Sequence, residues 1–91
     1  MALSTARVSV TTTQALLQAG ITHTTRTFIQ LTNLGPHTAW LGPTGVTTAN
    51  GFPLYVGRTI RSNNLQGLQN EQIYAISGPT ETASICVLEA S

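Results

Sequence analysis

Ala83-Ser84-Ile85-Cys86-Val87-Leu88-Glu89 decides the fold. As an extended chain it carries apolar side chains on both faces, the pattern of a central strand covered on two sides. Gln72-Ile73-Tyr74-Ala75-Ile76-Ser77 has the same character. Working outward from these two, Arg7-Val8-Ser9-Val10-Thr11 alternates, with Val8 and Val10 on one face. Thr25 to Asn33 alternates as well: Ile29 and Leu31 point inward, and Arg26, Gln30 and Thr32 point outward. Phe28 falls on the outward side, as expected of a second buried face or an interface. Thr38-Ala39-Trp40-Leu41 and Thr59-Ile60-Arg61 are shorter strand candidates.

Turn chemistry separates these runs. Asn33-Leu34-Gly35-Pro36, Gly42-Pro43-Thr44-Gly45, Asn50-Gly51 and Gly78-Pro79-Thr80 supply Gly and Asn, which tolerate positive φ, and Pro, which presets it. Short strands divided in this way predict an all-β chain: a small antiparallel β-sandwich or barrel of about six to eight short strands, with at most one short helical turn. Thr13 to Gly20 is the place for that turn, with Thr13 as N-cap and Gly20 as stop, or else for an extended connector. Residues 1–12 are expected to be an N-terminal arm or edge strand, and residues 13–91 a single β domain. The polar run from Gly57 to Gln72, with Leu65 and Leu68 as its apolar anchors, is expected to be an exposed loop.

The composition removes whole classes of function. Only 8% of the 91 residues are charged, against a usual ~25%. Lys and Asp are absent; four Arg, three Glu and two His stand beside sixteen Thr. A net charge of +1 leaves too few cations to grip a phosphate backbone, so nucleic acid is not an expected partner. No apolar run approaches the ~20 residues of a membrane span, and neither a membrane partner nor a signal peptide is expected. Cys86 is the single cysteine and cannot form an internal disulfide, which suits synthesis in a reducing cytoplasm.

Chemistry-bearing motifs are missing as well. Glu71, Glu81 and Glu89 fall in no recognisable catalytic pattern, and His23 and His37 have no metal-ligand spacing. Cys86, between Ile85 and Val87, reads as a buried inert thiol. The glycine-rich stretches lack a P-loop lysine. The expectation is a non-enzyme with no catalytic residue, no metal and no cofactor.

The sparse charge then acquires a meaning. Threonine, asparagine, glutamine and serine must cover the surface, with little net charge to keep copies apart. Interface cores are depleted in charge and favour Arg among the cations, so much of this exterior is expected to be covered by copies of the chain or by a larger assembly. Val8, Val10, Phe28, Trp40, Phe52, Tyr55, Arg58 and Arg61 are the candidate protein-interface residues.

Four stretches carry a resemblance: Arg26-Thr27-Phe28-Ile29-Gln30-Leu31-Thr32-Asn33-Leu34-Gly35, Ala39-Trp40-Leu41-Gly42, Gly45 through Leu54, and Ile73-Tyr74-Ala75-Ile76. Together they resemble the small all-β virion proteins of tailed bacteriophages. The resemblance implies a virion structural protein made in the host cytoplasm; such proteins serve as head decoration subunits, head-fibre bases or head–tail and tail components, and the capsid surface is the expected location. Within that family the resemblance points to a decoration or cement subunit that binds the major capsid protein and stabilises the assembled head. The cement reading implies a homo-oligomer, with a trimer expected, seated over junctions between capsid subunits. The alternatives are a receptor- or glycan-binding or head–tail or tail accessory module, and a non-viral β-domain that takes a small ligand or peptide in a cleft.

Overall fold

The structure is a computed structural model that describes residues 2–64 and 67–91. Among the described residues the strands are β1 (Leu3–Val10), β2 (Ala15–Leu16), β3 (Phe28–Pro36), β4 (Ala39–Gly42), β5 (Phe52–Leu54), β6 (Thr59–Arg61), β7 (Tyr74–Ile76) and β8 (Ala83–Ala90). The doubly apolar stretches take inner positions. β8 lies between β1 and β3 in a sheet of order β1-β8-β3-β6, and β7 lies between β2 and β4 in a sheet of order β2-β7-β4-β5. Every pairing is antiparallel. Partners nest around the chain's midpoint: β1 with β8, β2 with β7, β3 with β6 and β4 with β5. Eight strands nested in this way and split between two facing sheets have the topology of a jelly roll, one form of β-sandwich.

Alternation fills the space between the sheets. Ile29 and Leu31 of β3, Ile85 and Val87 of β8, and Val10 of β1 meet Leu41 and Ala75 of the other sheet in one buried cluster. Val10 is therefore a core residue and not an interface residue as expected; its exposure is 0%. The accessible surface is 5029 Å², close to the roughly 5,100 Å² of a folded monomer of this mass.

Several local expectations are corrected. Asn33–Pro36 does not end its strand, because β3 runs through it with a bulge between Asn33 and Gly35. Gly35 has φ +94°, and a Cβ there would meet Val56 at 3.1 Å, so glycine lets the strand bulge beneath that side chain. The Gly35–Pro36 peptide is cis. Thr13 to Gly20 is the extended connector of its two options and carries β2. β5 contains Pro53 and has no counterpart among the expected strands; it lies at a sheet edge, where a missing N–H is tolerated. The Gly57–Gln72 run is only partly a loop. It holds β6 and short 3₁₀ turns at Ser62–Asn64 and Leu68–Asn70, and Leu68 packs against the core. Leu65, the other anchor expected there, lies outside the described residues.

Arg26 reverses its expected orientation. The chain turns at Thr22–Arg26, where Arg26 N–H donates to the Thr22 carbonyl at 3.1 Å, so the alternation of β3 does not extend back to Arg26. Its side chain is buried and reaches Glu89, with Nη1 2.7 Å from Oε2. Nε donates to the Gln69 carbonyl at 2.9 Å, and Nη2 donates to the Glu71 carbonyl. The other Glu89 oxygen accepts from Ala19 N–H at 2.9 Å and Ile21 N–H at 3.0 Å. One ion pair thus closes an end of the core and satisfies main-chain groups of two separate segments.

Candidate interaction surface

β5 and β6 each form one edge of their sheet and follow each other in the chain. The short connection between them, Tyr55 to Arg58, is a turn closed by Arg58 N–H donating to the Tyr55 carbonyl at 3.0 Å. Asn33 clasps this turn to the bulge of β3. Its N–H donates to the Arg58 carbonyl at 3.0 Å, and its carbonyl accepts from Gly57 N–H at 2.8 Å. The fully buried Asn33 side chain adds three bonds. Nδ2 donates to the carbonyls of Leu54 (2.7 Å) and His37 (2.9 Å), and Oδ1 accepts from Gly35 N–H at 2.7 Å.

A rigidly held turn presents its side chains in fixed positions. Tyr55 and Val56 on the turn are 56% and 50% exposed, and Phe52 on β5 and Leu34 next to the bulge of β3 are 59% and 48% exposed. Phe52, Tyr55 and Arg58 line one shallow groove with Pro53, Leu54, Thr59 and Ile60. Phe52 and Ile60 also border a cleft of about 320 Å³ that enters between the sheets, walled by Leu31, Leu41, Leu68 and Ile73. Glu71 and Gln72 stand beside these apolar walls. That composition favours an apolar occupant and offers few groups to direct chemistry on it.

The structure gathers some candidates and scatters others. Phe52, Tyr55 and Arg58 come together, and Arg61 follows on β6, bonded through Nε to Gln30 Oε1 at 2.9 Å. Phe28 is half-buried beside Ala90, and Trp40 is half-buried between Ile76 and Pro53. Val8 is half-buried and packs against the core. Leu34 and Val56 were missed by the sequence reasoning. Leu34 sat in an expected turn, and only the bulge in β3 brings its neighbour Gly35 under Val56. Cys86 is half-buried, paired with Arg7 on one side and Thr32 on the other, rather than buried in the core.

Charge is sparser still at the surface. Arg26 and Glu89 neutralise each other inside, leaving Arg7, Arg58, Arg61, Glu71 and Glu81 as the remaining charged side chains. Among the described residues no three His, Cys, Asp or Glu side chains gather as a metal site. Among them, too, no helix is long and apolar enough to cross a membrane. No family model, curated protein or solved structure matches the chain.

Proposed function

We propose that the chain is a structural subunit of a tailed-phage virion, a decoration or cement protein that binds the assembled capsid and holds it together. One observation carries this reading: an exterior with only five charged side chains, on which four exposed apolar side chains, Leu34, Phe52, Tyr55 and Val56, lie on or beside a clamped turn. Apolar and aromatic side chains flanked by a single arginine make a suitable interface core. The function needs no chemical step. A subunit that binds only assembled capsid stabilises it by mass action, and many weak sites add up over a lattice. Jelly rolls recur in viral capsid domains and in lectins, so the topology agrees with this role without selecting it.

Co-purification with particles tests the reading. The chain is expected at a fixed copy number per particle, and replacing both Phe52 and Tyr55 by Ala should lower that occupancy at least about tenfold. Full occupancy by the double variant would remove this surface from the interface, and absence of the wild-type chain from particles would end the reading.

The cleft beside Phe52 favours a second reading, a β-domain that takes a small apolar ligand or peptide. An apolar fluorescent probe separates the two. Tight saturable binding by the free chain that Leu41→Trp abolishes supports ligand capture, whereas no saturable binding leaves the cleft as part of a protein interface.

A further inference from the structure

β1 is the outermost strand of its sheet and pairs with β8 over all eight of its residues, from Leu3 against Ala90 to Val10 against Ala83. Ser91 N–H donates to the Ala2 carbonyl at 3.0 Å, one step beyond that register. In an antiparallel ladder directly opposed residues alternate between bonded and unbonded pairs. The even-numbered residues of β1 therefore bond to β8, and the N–H and C=O groups of Leu3, Thr5, Arg7 and Ser9 point to the free edge. The side chains of these four residues are exposed. Protected edges carry Pro, charged side chains, a bulge or a short strand; β1 is long and unbroken, has no Pro, and carries Arg7 as its single charge.

We infer that this edge pairs with the β1 edge of a second copy, joining two four-stranded sheets into one across a two-fold axis. The inference rests on the assembly reading for its purpose and on the strand itself for its geometry. A two-fold axis normal to the sheet brings each residue opposite one on the same face, and bonded pairs must join odd residues to odd residues. Three registers centre on the middle of the strand. Centring on Arg7 sets Arg7 against its own copy, a like-charge pair that is unfavourable. Centring on Thr5 leaves Ser9 without a partner in the other strand. Centring on Ala6 pairs Leu3 with Ser9 and Thr5 with Arg7 in both directions, so all four free-edge residues are used. It also puts the small Ala6 side chains at the axis, where unbonded pairs approach to about 4.5 Å. The strand has one charged residue, Arg7, and this register sets it opposite a neutral threonine.

Sedimentation equilibrium of the purified chain, from micromolar to millimolar, tests the pairing. A monomer–dimer equilibrium is expected, with amide exchange at Leu3, Thr5, Arg7 and Ser9 slowing as concentration rises. Thr5→Pro removes an N–H that faces the free edge and leaves the bonds to β8 intact, so it should fold normally and weaken the dimer at least about tenfold. Thr5→Glu places a carboxylate opposite each Arg7 and should tighten the dimer roughly fivefold, while Thr5→Arg should loosen it by a similar factor. A chain that stays monomeric throughout, or forms the trimer expected of a cement protein with unprotected β1 amides, overturns the inference. So does a Thr5 series with no effect on affinity, even if Thr5→Pro fails to fold. Particle occupancy is scored separately: a dimer absent from particles sinks the virion reading alone, and an occupied particle with a monomeric chain sinks the pairing alone.

Discussion

β3 is held by two polar anchors of different kinds, one before its first residue and one near its last. Before the start, Arg26 and Glu89 form a buried ion pair; near the far end, Asn33 does comparable work without charge. Both satisfy main-chain groups from distant segments, and each steadies the wall of a different depression. Arg26 bonds to the carbonyls of Gln69 and Glu71 beside the cleft lined by Leu68 and Gln72, while Asn33 bonds to Leu54 and to the turn after it, which line the shallow groove. The difference lies in what is left when one member is removed. An ion pair leaves an uncompensated buried charge, whereas a neutral amide leaves unmet hydrogen bonds alone.

Breaking the charged anchor should have the largest effect. Glu89→Ala strands the Arg26 guanidinium and frees the amides of Ala19 and Ile21, and should cost about 3–5 kcal/mol in chemical denaturation. Replacing both ions, Arg26→Met with Glu89→Leu, sharpens the comparison. Many buried ion pairs can be exchanged for apolar residues at little cost. This one also serves four main-chain groups, so the double variant should remain about 2–3 kcal/mol below wild type. Recovery to wild-type stability would show that those main-chain bonds carry nothing.

Asn33→Ala comes next, at roughly 2–3 kcal/mol, because three partners, two of them buried, lose their bonds while no charge is stranded. A loss as large as that of Glu89→Ala would erase the distinction between the anchors. The same variant should quicken amide exchange at Gly57 and Arg58, since the clasp on their turn weakens.

The framework of the sandwich was readable because it follows from alternation and turn residues. β8 and β7 announce themselves as inner strands, and Ile29, Leu31, Ile85 and Val87 fall on the buried face by parity alone. The charged anchor was missed although half of it was visible. Glu89 shares parity with Ile85 and Val87, and a carboxylate on a buried face requires a partner. Nothing local names Arg26 as that partner, sixty-three residues away, because its orientation depends on the turn at Thr22. Asn33 misled in another way. Asn-Leu-Gly-Pro is good turn chemistry, yet the strand continues and uses the same residues to bulge. The surface around Phe52 was legible only in its parts, since exposure is decided by which strands become edges.

The smallest effect on stability is expected at that surface, which is the one the proposed function depends on. Phe52 is more than half exposed on an edge strand opposite Leu41, so its ring is only partly withdrawn from water. Truncation to Ala should change folding stability by less than about 0.5–1 kcal/mol, well below either anchor. A residue kept for packing would behave otherwise, because removing a buried aromatic costs about 3–5 kcal/mol. Phe52→Ala thus separates the two uses a β-sandwich can make of a large apolar side chain. Near-wild-type melting together with lost particle occupancy assigns the ring to a partner. A loss of 2 kcal/mol or more would assign it to the fold, and the surface around the clamped turn would then lack its largest anchor.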